Sequence, residues 1–135
     1  MQSTPTPQTL QSALVIDDDH FSQAIFRKNL EQMGFADIVV AGNGREAVQA
    51  MDAMQRPPDF LICDIFMPDM DGIEFIRELT TRGYQGGLIL VTGINRGMLE
   101  VATEIATLNK LRLLGTFNKP VRIQDLREVL GLAPA

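Results

Sequence analysis

Four short runs in this chain are apolar at every position: Ala13–Ile16, Ile38–Ala41, Phe60–Cys63 and Leu88–Val91. A weaker fifth run is Leu113–Phe117. None alternates with period 2, so each reads as a strand buried on both faces, as in a parallel sheet. Helical spacing fills the gaps. Phe26, Leu30 and Met33 follow the first run, with Gly34 placed as a stop. Ala47, Met51 and Met54 follow the second, ahead of Pro57-Pro58. Ile73, Ile76 and Leu79 follow the third, with Gly83 beyond. Met98, Val101, Ala102 and Ile105 follow the fourth, and Ile123, Leu126 and Leu130 the fifth. The order (βα)5 predicts a single α/β domain: a doubly wound parallel five-stranded sheet with helices on both faces.

The domain is expected over residues 11–130, after a disordered lead at 1–10 and before a tail or cut linker at 131–135. No apolar run approaches the ~20 residues that span a bilayer, so no membrane role is expected. Twelve Lys+Arg against 17 Asp+Glu give a net charge of −5. That field repels phosphate backbones, so direct nucleic-acid binding is not expected. The lone cysteine, Cys63, permits no internal disulfide and suits a reducing, cytoplasmic compartment.

Right-handed crossovers bring the carboxyl ends of all parallel strands to one edge, where ligands of open sheets bind. The first strand ends in Asp17-Asp18-Asp19, the third in Asp64, the fourth in Thr92-Gly93 and the fifth in Asn118-Lys119-Pro120. Clustered carboxylates repel: a like-charge pair at ~4 Å costs about 4 kcal/mol at intermediate dielectric. A divalent cation and one ammonium offset this. Hard oxygens select Mg²⁺, with Mn²⁺ as the alternative. Lys119 supplies the ammonium and Thr92 a hydroxyl, which together describe a phosphoryl-transfer site with one carboxylate free to attack. Asp64, closing the buried strand FLICD, is the candidate nucleophile. Plainer roles fit other residues. Asp19 reads as a helix N-cap, His20 as a solvated first-turn residue, and Asp69 and Asp71 as loop acids before Gly72. The methionines and phenylalanines read as core.

LVIDDDH, LICDIFMPDMDGIEF, LILVTG and GTFNKP, in that order, resemble the receiver domain of two-component response regulators. The resemblance covers about residues 11 to 130 and implies a flavodoxin-like sheet of order 2-1-3-4-5. It implies Asp64 as the phosphoacceptor. It implies Asp17 and Asp18 as the acidic pair that holds Mg²⁺ alongside Asp64, with the Phe66 backbone carbonyl as a further ligand. Thr92 and Lys119 are implied to contact the phosphoryl group, and Lys119–Pro120 to be a cis peptide. The family's switch aromatic lies three residues before the lysine. Here that position is Thr116, and the neighbouring Phe117 points to the opposite face by strand alternation. The long segment between Gly93 and Asn118 predicts a lengthened fourth helix or following loop. With LLGTFNKP, it is similar to receivers fused to cyclic-di-GMP phosphodiesterase modules.

The resemblance implies a signalling switch rather than a turnover enzyme. Its partners are a sensor histidine kinase or phosphotransfer protein, a downstream protein or an output domain outside this chain, and a phosphorylation-dependent dimer. Two alternatives use the same residues. A haloacid-dehalogenase-like phosphatase takes Asp17 as nucleophile and Asp19 as acid/base. An unphosphorylated receiver acts as a docking module. Phe66, two residues past Asp64, is expected to overhang the site and slow loss of the phosphoryl group.

Overall fold

The computed structural model describes residues 11–66, 72–93 and 96–131. The expected lead at 1–10, the loop acids Asp69 and Asp71, and most of the tail lie outside them. Five strands and five helices alternate: β1 (Ser12–Ile16), α1 (His20–Gln32), β2 (Asp37–Ala41), α2 (Gly44–Ala53), β3 (Phe60–Asp64), α3 (Gly72–Arg82), β4 (Gly87–Thr92), α4 (Arg96–Leu108), β5 (Arg112–Asn118) and α5 (Ile123–Val129). The sheet order is β2-β1-β3-β4-β5, with every neighbouring pair parallel.

Strand residues divide by parity between two cores. Leu14, Ile16, Leu61, Cys63, Leu88 and Leu90 pack with residues of α2, α3 and α4 on one face. Ala13, Val15, Phe60, Ile62, Ile89 and Val91 pack with α1 and α5 residues on the other. This two-sided burial is why the runs carry no polar alternation. β3 and β4 are buried throughout, so residues at their carboxyl ends are held by the best-packed part of the molecule. A register shift between Leu88 and Ile89 makes Leu114 an extra residue of β5.

Several helix ends are closed by backbone hydrogen bonds beyond the last turn. Phe35 N–H donates to Leu30 O with Gly34 at φ 95, and Tyr84 N–H to Leu79 O with Gly83 at φ 68. Leu111 N–H donates to Ala106 O with Lys110 at φ 62. The first two use glycine in the left-handed region; the third places a lysine there. α5 begins at Ile123, beyond the cis Lys119–Pro120 peptide. Its start is fixed by Asp125, whose carboxylate accepts the Arg122 backbone N–H at 3.1 Å. α4 takes 13 residues of the long fourth segment, and only 109–111 connect it to β5.

Candidate functional site

β1, β3 and β5 deliver Asp17, Asp64 and Lys119 to one point at the carboxyl edge. Lys119 Nζ lies 2.7 Å from Asp17 Oδ2 and 2.9 Å from Asp64 Oδ2. Asp17, Asp18 and Asp64 each place a carboxylate oxygen within 4.8 Å of the others. Asp17 and Asp64 are buried, Asp18 is exposed, and Lys119 is half-buried. Thr92 is fully buried at the end of β4, and its carbonyl accepts the Lys119 backbone N–H at 2.9 Å. The Lys119–Pro120 peptide is cis.

The two buried carboxylates are tied down differently. Asp17 Oδ1 accepts the Asp19 N–H at 2.9 Å, while its carbonyl accepts Gln23 Nε2 at 2.6 Å. Asp64 Oδ1 accepts the Phe66 N–H at 3.1 Å, leaving Oδ2 for Lys119. Burial pushes the Asp64 carboxyl above its ordinary range, against the pull of Lys119, and the nearby Asp17 adds to the rise. Burial alone would lower Lys119, but the Asp17 and Asp64 carboxylates outweigh it and hold the ammonium above its usual value.

Among the described residues the cluster gathers three carboxylates and one ammonium, an excess of negative charge. Asp17 Oδ2 is buried and has an ion-pair partner but no well-angled hydrogen bond. An underused buried oxygen beside an exposed carboxylate suits a hard divalent cation that keeps several waters. Asp17, Asp18 and Asp64 thus fit Mg²⁺ in both charge and donor type.

Asp19 stays out of this cluster. Its carboxylate caps α1, accepting the Ser22 N–H at 3.1 Å and the Ser22 hydroxyl at 2.9 Å. Those bonds hold its carboxyl below the ordinary range. His20 is the exposed first residue of α1, as its plainer role requires. Phe66 stands 62% exposed at the rim. Thr116 is exposed and borders a cleft with Leu99, Glu100, Thr103 and Glu104 of α4. Phe117 packs into the opposite core with Val15 and Val91, as strand alternation predicts.

Two contributors escaped the sequence reading. Gln23 reaches back from α1 to the end of β1. Gly72 abuts the residue after Asp64: its N–H donates to Ile65 O at 2.8 Å, and a Cβ there would lie 2.6 Å from Ile65 Cα. Side-chain periodicity carries no signal for either, because both partners are backbone atoms.

A five-stranded 2-1-3-4-5 sheet with acids and an ammonium gathered at its carboxyl edge defines the class. The sequence model of the response regulator receiver domain matches residues 13–131, and the chain belongs to that family. It is 32% identical to the Probable C4-dicarboxylate response regulator DctR of Priestia megaterium, over 88% of this chain and 50% of that protein. It is 25% identical to the cyclic di-GMP phosphodiesterase RocR of Pseudomonas aeruginosa, over 88% of this chain and 30% of that protein. The chain therefore spans half or less of the length of these two relatives. A crystal structure of a response regulator from Colwellia psychrerythraea superposes with a TM-score of 0.74 at 30% identity, covering 90% of this chain and 94% of that one. The chain is a receiver domain of the two-component signalling type, a family built for phosphorylation-dependent signalling. No helix among the described residues is long and apolar enough to cross a membrane.

Proposed function

We propose that Asp64 accepts a phosphoryl group from the phosphohistidine of a sensor kinase or phosphotransfer protein. The observation that carries this reading is the Lys119 ammonium bridging Asp64 Oδ2 and Asp17 Oδ2 at 2.9 and 2.7 Å within a three-carboxylate cluster. An Asp64 oxygen attacks phosphorus, the P–N bond breaks, and its electron pair stays on the histidine nitrogen. Mg²⁺, held by Asp17, Asp18, Asp64 and the Phe66 carbonyl, with Mn²⁺ as substitute, would supply charge neutralisation to the incoming phosphoryl oxygens. Lys119 follows the new charge by exchanging one carboxylate oxygen for a phosphoryl oxygen. Thr92, at the adjacent strand end, offers a hydroxyl to the same group.

The modification adds up to ~2 negative charges at the sheet edge. The phosphorylated domain then presents a different surface around α4, β5 and α5 to a downstream protein, an attached output domain or a second copy. Thr116 leaves the α4 side of β5 without an aromatic ring, so readout there does not rely on the family's usual ring rotation. Phosphotransfer and hydrolysis of the aspartyl phosphate are the only chemistry proposed for this chain, which is otherwise a signalling module in a cytoplasmic setting. The phosphatase alternative loses its acid/base, because Asp19 is engaged in capping α1.

Mass spectrometry after treatment with acetyl phosphate and Mg²⁺ tests the reading. A hydroxylamine-labile phosphoryl adduct on Asp64, absent from Asp64→Asn, supports it. No adduct would leave a docking module. Turnover of p-nitrophenyl phosphate surviving Asp64→Asn would favour the phosphatase.

A further inference from the structure

Asp17 and Asp18 are joined by one peptide group, and its plane sets how their two side chains stand relative to each other. The last ladder bond of β1 on this side is Asp17 N–H to Ala41 O. Beyond it, the Asp17 carbonyl has left the sheet and precedes the helix. Its partner is the side-chain amide of Gln23, which donates from Nε2 at 2.6 Å. Gln23 itself lies within α1, its backbone N–H donating to Asp19 O at 3.0 Å. A rigid helix thus grips the peptide that links the two acids. No other α1 side chain hydrogen-bonds to Asp17, Asp18, Asp64 or Lys119 among the described residues.

We propose that Gln23 is a positioning residue for the Mg²⁺ site: it fixes the Asp17–Asp18 peptide plane and so the exposed Asp18 carboxylate relative to the buried Asp17. The proposal rests on the reading of these two acids as metal ligands. The Asp17 side chain has its own restraints, the Asp19 N–H on Oδ1 and Lys119 on Oδ2. Asp18 has no restraint of that kind among the hydrogen bonds and ion pairs described, so its placement depends on the backbone it grows from. Without the Gln23 donor, the Asp17 carbonyl turns toward water and the peptide plane is freed. Groups that orient metal ligands from behind typically change affinity 10–100-fold when removed.

Isothermal titration of the full chain with MgCl₂ tests this, beside thermal unfolding in EDTA. Gln23→Met keeps length and packing but removes the donor; its Mg²⁺ dissociation constant should rise about tenfold. Gln23→Arg restores an N–H donor and should return affinity to within about threefold of wild type. The maximal phosphorylation rate of Gln23→Met at saturating Mg²⁺ should stay close to wild type, because the loss lies in occupancy rather than chemistry. A folded Gln23→Met chain that binds Mg²⁺ as tightly as wild type would overturn the proposal, even if its unfolding temperature fell, since that would show a structural role alone. Should Gln23→Met fail to fold, Gln23→Leu enters the same titration under the same criteria. Wild-type protein that takes up no Mg²⁺ would instead overturn the reading of the acid pair on which the proposal stands.

Discussion

Neutralising one acid of the cluster should stabilise the metal-free protein while weakening its response to metal. Asp18 is the residue to change, because it is exposed and Lys119 is already engaged by Asp17 and Asp64. Carboxylate oxygens of the three acids lie within 4.8 Å of one another. At that separation a like-charge pair costs about 1 kcal/mol in water-like dielectric and about 3.5 kcal/mol at an effective dielectric of 20. Exposure puts Asp18 near the lower figure, so its two repulsions sum to about 2 kcal/mol. The Lys119 ammonium, paired with Asp17 and Asp64, offsets part of that at longer range. Asp18→Asn should therefore gain about 1 kcal/mol without metal, raising the unfolding temperature by about 3–5 °C for a domain of this size. Mg²⁺ at a hundred times its dissociation constant stabilises wild type by about 2.7 kcal/mol and the variant by much less. The two unfolding curves should thus exchange order between EDTA and saturating Mg²⁺. Differential scanning calorimetry under both conditions reads this directly, and the EDTA gap should shrink in about 1 M salt through screening. An Asp18→Asn protein no more stable than wild type in EDTA, or one that Mg²⁺ stabilises as much as wild type, would refute the electrostatic account.

Three other substitutions probe separate parts of the structure. Gly72→Ala sets a gain in helix propensity of up to about 1 kcal/mol against a Cβ 2.6 Å from Ile65 Cα and 3.0 Å from Ile65 O. Those neighbours are backbone and cannot swing aside, so overpacking wins, and chemical denaturation should show a net loss of about 1–2 kcal/mol. Lys110→Gly relieves a left-handed residue at the end of α4 (φ 62) and should gain about 1 kcal/mol, read as a higher denaturant midpoint at unchanged slope. Phe66→Asn replaces an exposed apolar ring at the rim of the site with a polar group that can hold water. Aspartyl-phosphate loss, followed on Phos-tag gels after removal of the donor, should accelerate; an unchanged half-life would remove Phe66 as the barrier to water.

What the sequence reveals and what it conceals follow one physical division. The strands are legible because burial on both faces leaves runs such as Ala13–Ile16 and Phe60–Cys63 without a polar position. Asp17, Asp64 and Lys119 are legible because parallel topology carries strand ends to a common edge, wherever they fall along the chain. The opposite facings of Thr116 and Phe117 follow from alternation alone, and the structure places one against α4 and the other in the α1/α5 core. The concealed features share a different partner, the main chain. Gln23 meets the Asp17 carbonyl, Gly72 the Ile65 backbone, and the Lys119 N–H the Thr92 carbonyl. Lys110 occupies a left-handed position that composition would give to glycine, because the closing bonds it enters use only backbone groups. Side-chain pattern encodes which residues reach the edge; the peptide planes that aim them are set by contacts in which one side has no identity to read. Fine control of the acid cluster is therefore expected where a side chain grips a carbonyl beside a ligand, and at this site that residue is Gln23.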